Sequence, residues 1–164
     1  LKTSRGVPTV TTEDVRFLGG EMRGFNAVEY TELIAEATEK SHPNLHRFFL
    51  AFGLDEPPAV QCALCVGGVC GFRLLQVAAE RLGETIPDPN TEVLRHVSSI
   101  GGTYRRQLDR LLLENPLFVR GIHTIAKSIE VKSKTAINML IGCTMAYVWL
   151  ESQIEAQELE KQWS

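Results

Sequence analysis

Cys62 and Cys65 occur in the order Cys-Ala-Leu-Cys, with Cys70 five residues beyond and Cys143 as the fourth cysteine. A CxxC placed after Pro57-Pro58 at a helix start could hold one thiol as thiolate and exchange disulfides. The surrounding run, AVQCALCVGGVCGF, is apolar and brings no acid or histidine near enough in sequence to relay a proton. Free cysteine in such a run packs as a small apolar side chain, so buried packing is the simpler reading. Metal chemistry would need converging ligands. Glu39 and His42 make one Glu-x-x-His, whereas helical di-iron sites need two such pairs with further carboxylates on facing helices. Glu92 to His96 is one residue too long for the second, and Pro43 separates His42 from His46. His42 and His46 therefore read as surface groups, and His96 and His123 as partly buried or capping groups. No strand–loop–helix phosphate motif occurs, and Gly101-Gly102-Thr103 before Arg105-Arg106 reads as a helix kink. The expectation is no metal, no cofactor and no catalysis, with a Cys62/Cys65 thiol enzyme as the minor reading.

Residues 122–141, IHTIAKSIEVKSKTAINMLI, point elsewhere. Two short helices crossing through a tight turn need apolar contacts at set offsets, and Ile125, Ile129, Val131, Ala136 and Met139 supply them. Ala126 is small where the second helix would cross. Ser133 stands where its hydroxyl can cap that helix. Lys132, Lys134, Thr135 and Asn138 would project from its start.

This pattern resembles the helix-turn-helix of DNA-binding regulators, I-A-x-x-L-G-V-S-x-x-T-A/V-x-x-x-L, which here stands as I-A-K-S-I-E-V-K-S-K-T-A-I-N-M-L. The resemblance implies that Lys132, Ser133, Lys134, Thr135 and Asn138 contact DNA, with Lys127, Arg105 and Arg106 on its phosphates. It also implies a homodimer, because one recognition helix buries too little surface for specificity. The sequence departs from the pattern at Glu130, where the family prefers Gly for a positive φ. Ile137, near the exposed side of the second helix, is a second departure. The CxxC resembles that of helical peroxidase-like proteins of the carboxymuconolactone decarboxylase type. Those carry a histidine four residues later, and here that position is Val69.

Charge leans the same way. Residues 105–134 hold seven basic and three acidic side chains, a net +4, which leaves −7 for the remainder of a chain at −3. A basic segment in an acidic protein is the footprint of a face that meets a polyanion. A solvated helical face looks similar, so a non-catalytic helical module that binds protein is the main alternative. The overall negative balance excludes a bulk basic protein of the histone kind.

These residues must be positioned by helices. Composition is ordinary for a globular chain, 44% hydrophobic and 23% charged over 164 residues. Periodicity predicts an all-α fold, a compact bundle of about six or seven helices without strand alternation. Residues 1–89 and 90–164 read as N- and C-terminal parts of one domain, meeting at Pro87-Asp88-Pro89. Leu1–Val10 reads as an extended arm. Helices follow from a Thr12 cap to Leu18, stopped by Gly19-Gly20; from an Asn26 cap to Lys40; from Pro43 to Phe52; and from Ala59 to Leu82. A fifth, capped by Asn90 or Thr91, breaks at Gly101-Gly102 and resumes to Glu114. Asn115-Pro116 caps the next, and the last runs from Ser133 toward Trp163. Ala63, Gly67 and Gly71 recur every four residues, as do Gly142 and Ala146, so the fourth and last helices are expected to cross closely. The uncharged stretches Pro57–Phe72 and Thr135–Leu150 are 16 residues each. They fall short of the roughly 20 that span a bilayer, so no membrane segment is expected. Four cysteines without a visible secretory leader fit a cytoplasmic protein.

Overall fold

A computed structural model describes residues 1–89, 104–129 and 131–163. Seven helices are present among them: α1 (Thr12–Met22), α2 (Ala27–Ser41), α3 (Pro43–Ala51), α4 (Pro58–Arg81), α5 (Tyr104–Glu114), α6 (Pro116–Ser128) and α7 (Ser133–Trp163). No strand occurs among these residues, and a single isolated bridge joins Lys2 to Pro8. The fold is an all-α bundle. The fifth helix expected from Asn90 or Thr91, its break at Gly101-Gly102, and His96 all lie outside the described residues.

Side-chain caps set the helix starts. The cap of α1 is Thr11, not Thr12: Thr11 accepts from the Asp14 N–H while Asp14 accepts from the Thr11 N–H, a reciprocal capping box. α1 does not stop at Gly19-Gly20 as expected. It runs on to Met22, which packs against the core, and the chain turns at Gly24, where φ is +86°. Partial burial of Met22 works against the roughly 1 kcal/mol that each glycine costs in a helix. Asn26 caps α2 as expected, accepting from the Glu29 N–H at 2.9 Å.

The Pro87-Asp88-Pro89 loop is a clamp within the fold. Asp88 accepts from the Asn44 and Leu45 N–H groups, both at 3.1 Å, and so caps α3. Gln153 Nε2 donates to the Pro87 carbonyl and ties the same loop to α7.

The centre of the molecule is the crossing of α4 and α7. A Cβ added at Gly67 would overlap the Met139 carbonyl, and one at Gly142 would overlap the Leu64 carbonyl. The two backbones therefore touch where only hydrogen fits, as the four-residue spacing of small residues predicts. Gly142 accordingly leaves α7 unbroken over 31 residues. Trp149, Tyr147, Phe72 and Phe118 are fully enclosed around this seam. α4 belongs to the first part of the sequence and α7 to the last, so both parts share one core. By length and composition α4 could also cross a membrane, but 72% of its apolar window is buried inside the protein.

The N-terminal arm folds back onto the bundle. Val7 and Val10 are buried. The Val10 N–H donates to Asn115 Oδ1 at 2.9 Å, and Asn115 Nδ2 donates to the Pro8 carbonyl at 3.0 Å. Asn115 does not cap α6 with its side chain, as expected of an Asn-Pro pair; it staples the arm instead.

Candidate nucleic-acid interface

The segment that carries the helix-turn-helix resemblance comprises the end of α6, a short connection and the start of α7. Its apolar side is built as the spacing predicts. Ile125, Ala126 and Met139 are buried, and Ile129, Val131 and Ala136 pack partly buried against the core. The Ile129 and Val131 N–H groups donate to the Ile125 and Ala126 carbonyls and close the end of α6. Glu130, the departure at the turn, lies outside the described residues.

The polar side is partly available. Lys127, Lys132, Ser133 and Lys134 are exposed, whereas Thr135 and Asn138 are half-buried. Ser133 is not the cap. The Ala136 N–H donates to the Lys132 carbonyl, α7 opens at Ser133 itself, and the Ser133 hydroxyl has no hydrogen bond to a described residue. Ile137 is 57% exposed, so an apolar side chain does sit on this outer face.

The two helices are in contact well beyond the turn. The Phe118 and Tyr147 rings meet with centroids 5.1 Å apart, which lays α6 alongside α7 for much of its length. At this end of α7 only the first turn or so stands clear, because from Met139 to Leu150 the helix is packed on α4. The surface offered to a ligand is thus a corner, not a freestanding helix.

Arg105 and Arg106 do not share this corner. Arg110 holds Glu151 through two bonds of 2.8 and 2.6 Å, and Asn115 Nδ2 reaches the Tyr147 hydroxyl at 3.4 Å. α5 therefore runs antiparallel to α7, and its start lies beyond Glu151. At 1.5 Å per residue, Glu151 is already roughly 27 Å along α7 from Ser133. Both arginines are exposed, at the far end of the molecule. Arg110, which contributes to the basic character of the segment in sequence, is committed to Glu151 and Glu114.

Burial disfavours the thiolate at Cys65, Cys70 and Cys143. All four are free thiols, and Cys70 and Cys143 are buried in the α4–α7 seam. Burial, with Cys62 adding to it, pushes the Cys65 thiol up to about 11. Burial likewise pushes Cys70 up to about 12. A thiol held protonated is a poor nucleophile. No group of three or more metal-ligating side chains converges among the described residues.

Two histidines differ from expectation. His42 is buried, not at the surface: its ring lies against Phe72 and its nitrogens meet the Ser41 hydroxyl and the Ile86 carbonyl. His123, expected to be partly buried or capping, is exposed. It lies on the outer face of α6 with Arg120, Thr124 and Lys127. The spacing 120, 123, 124, 127 is a helical stripe legible in the sequence, and reading it would have added Arg120, His123 and Thr124 to the candidate surface. Comparison with protein-family models, curated proteins and solved structures finds no match to the chain.

Proposed function

We propose that this chain is a DNA-binding protein, regulatory in the sense its helix-turn-helix resemblance implies, and that it meets DNA through the corner where α6 turns into α7. One observation carries the reading. Arg120, Lys127, Lys132 and Lys134 are exposed there and form no ion pair with a described residue, whereas Arg73, Arg81 and Arg110 are each held by carboxylates. Glu130 is the one carboxylate in sequence between Glu114 and Glu151. A cluster of uncompensated cations lowers the free energy of a polyanion laid on it, chiefly through counterion release. Lys127, Lys132 and Lys134 would take phosphates, the Ser133 hydroxyl would add a hydrogen bond, and Thr135 and Asn138 would reach only what approaches the first turn of α7.

A single corner is a small footprint, so the reading includes a homodimer that presents two. Leu159 and Trp163 sit four residues apart on the last turns of α7, 50% and 88% exposed, and form an apolar strip that a second copy would cover. Sedimentation of the wild type and of Trp163→Ala tests that part: a dimer that dissociates on substitution supports it, and a wild-type monomer overturns it. For the corner, a labelled mixed-sequence duplex titrated from about 50 to 200 mM salt should lose affinity by at least tenfold. A duplex that is not bound even at the lowest salt overturns the reading.

A further inference from the structure

Beside the corner lies a groove between α1 and α6, about 490 Å3 in volume. Its walls are apolar, formed by Val15, Met22, Phe25, Ile125 and Ile129. Phe25 follows Gly24 in the turn after α1 and is 46% exposed, its ring tilted against Tyr30 at 6.3 Å. Hydrogen-bonding groups line the same groove. The Thr124 and Ser128 hydroxyls donate to carbonyls of their own helix, at 2.9 and 2.8 Å, and keep their lone pairs free to accept.

Both rims are cationic. On α6, Arg120 and Lys127 lie four residues before and three after Thr124, on the flank of the groove. On the α1 side, Arg23, which follows the helix, lines the groove, and Arg16 is exposed on α1 two turns before it. None of these four pairs with a described carboxylate. The acids of α1 point away: Asp14 to Arg81, Glu21 to Arg73, and Glu13 into a separate hollow beside Val77. Asn26, which lines the groove, donates from Nδ2 to Glu29 at 2.9 Å, so that carboxylate is held by a neighbour.

An apolar slot with a half-exposed aromatic ring, hydroxyl acceptors and two cationic rims suits a polyanion that carries flat rings. We infer that the DNA is taken as a single strand, with its phosphates along Arg23, Lys127 and Lys132 and one unstacked base on Phe25. This rests on the corner reading above. In a duplex the base faces are stacked out of reach, so only a splayed base can enter the slot. Base-on-aromatic stacking tolerates any sequence, and cationic rims hold the backbone whatever the base.

Fluorescence anisotropy of a labelled mixed-sequence 16-nucleotide strand and of the matching duplex tests this, with wild type, Phe25→Ala, Phe25→Trp and the pair Lys132→Glu/Lys134→Glu. The expected result is single-strand binding at least about tenfold tighter than duplex binding, weakened about tenfold by Phe25→Ala and restored by Phe25→Trp. Duplex binding should not respond to either Phe25 variant, and the lysine pair should weaken both forms. If strand and duplex bind equally, or if Phe25→Ala leaves strand binding intact, this inference falls while the corner reading stands. If the duplex does not bind at low salt, the corner reading falls and this inference with it, whatever the strand does.

Discussion

The first turn of α7 and its middle belong to one unbroken helix, yet they obey opposite rules. From Met139 to Leu150 the helix is packed on α4, with Gly142 against the Leu64 backbone and Cys143 beside Gly71. From Lys132 to Ile137 it carries two lysines, a serine and an exposed isoleucine, and little holds them. In the middle, contact between backbones fixes residue size to within a methyl group. At the start, residue type is free to serve charge. A helix buried in its middle and open at its start joins a rigid anchor to a surface that tolerates change.

The strongest way to break this contrast is to add one methyl at the seam. Gly142→Ala places a carbon on the Leu64 carbonyl, which is backbone and cannot swing aside. Overpacking of this kind costs about 1–3 kcal/mol and more where the neighbour is rigid, so urea unfolding should show a loss of at least about 3 kcal/mol or no cooperative transition. An unchanged midpoint would mean the two backbones are not in contact.

Charge reversal at the start of α7 should have the converse profile. Lys132→Glu with Lys134→Glu is expected to weaken DNA binding tenfold or more and to flatten its salt dependence by about two units of slope. The same pair should leave unfolding within about 0.5 kcal/mol of wild type, because both side chains are exposed and form no ion pair with a described residue. A large stability loss would show that the corner is structural.

Acid gives a smaller effect, confined to the anchored side. Burial alone would raise the Asp14 carboxyl, but hydrogen bonds from Arg81 and Thr11 outweigh it and hold the group below its ordinary value. A carboxyl depressed on folding stabilises the native state at neutral pH, and that contribution is lost as pH falls below about 4. Asp14→Asn should therefore cost about 1–2 kcal/mol at pH 7 and progressively less toward pH 3, measured by urea midpoints. A penalty independent of pH would assign the effect to packing.

The smallest expected effect sharpens the map of the cationic surface. Arg105→Ala with Arg106→Ala should leave DNA affinity unchanged, since α5 begins at the opposite end of α7 from the corner. A loss comparable to that of the lysine pair would place DNA along the length of the bundle and enlarge the footprint.

Much of the architecture could be read one residue at a time. The Asn26 cap, Pro43 at the start of α3, the end of α4 before Gly83 and the four-residue spacing of glycines each act through local sterics or hydrogen bonds between near neighbours. Local chemistry of that kind is written in sequence. Several misreadings involve partners far apart in the chain. Asn115 serves Val10 and Pro8, more than a hundred residues away, and His42 is covered by Phe72 and Ile86. Met22 carries α1 past its glycines because the core receives it.

The candidate surface divides in the same way. Sequence alone determined which segments are cationic, where the helices begin and that two small faces must meet, since each follows from side chains a turn or two apart. Tertiary structure alone decided that Arg110 spends its charge on Glu151, that Arg105 and Arg106 face another end, and that Phe25 borders the same groove as Thr124. Distance in space between residues distant in sequence is set by packing, and no periodicity along the chain encodes it.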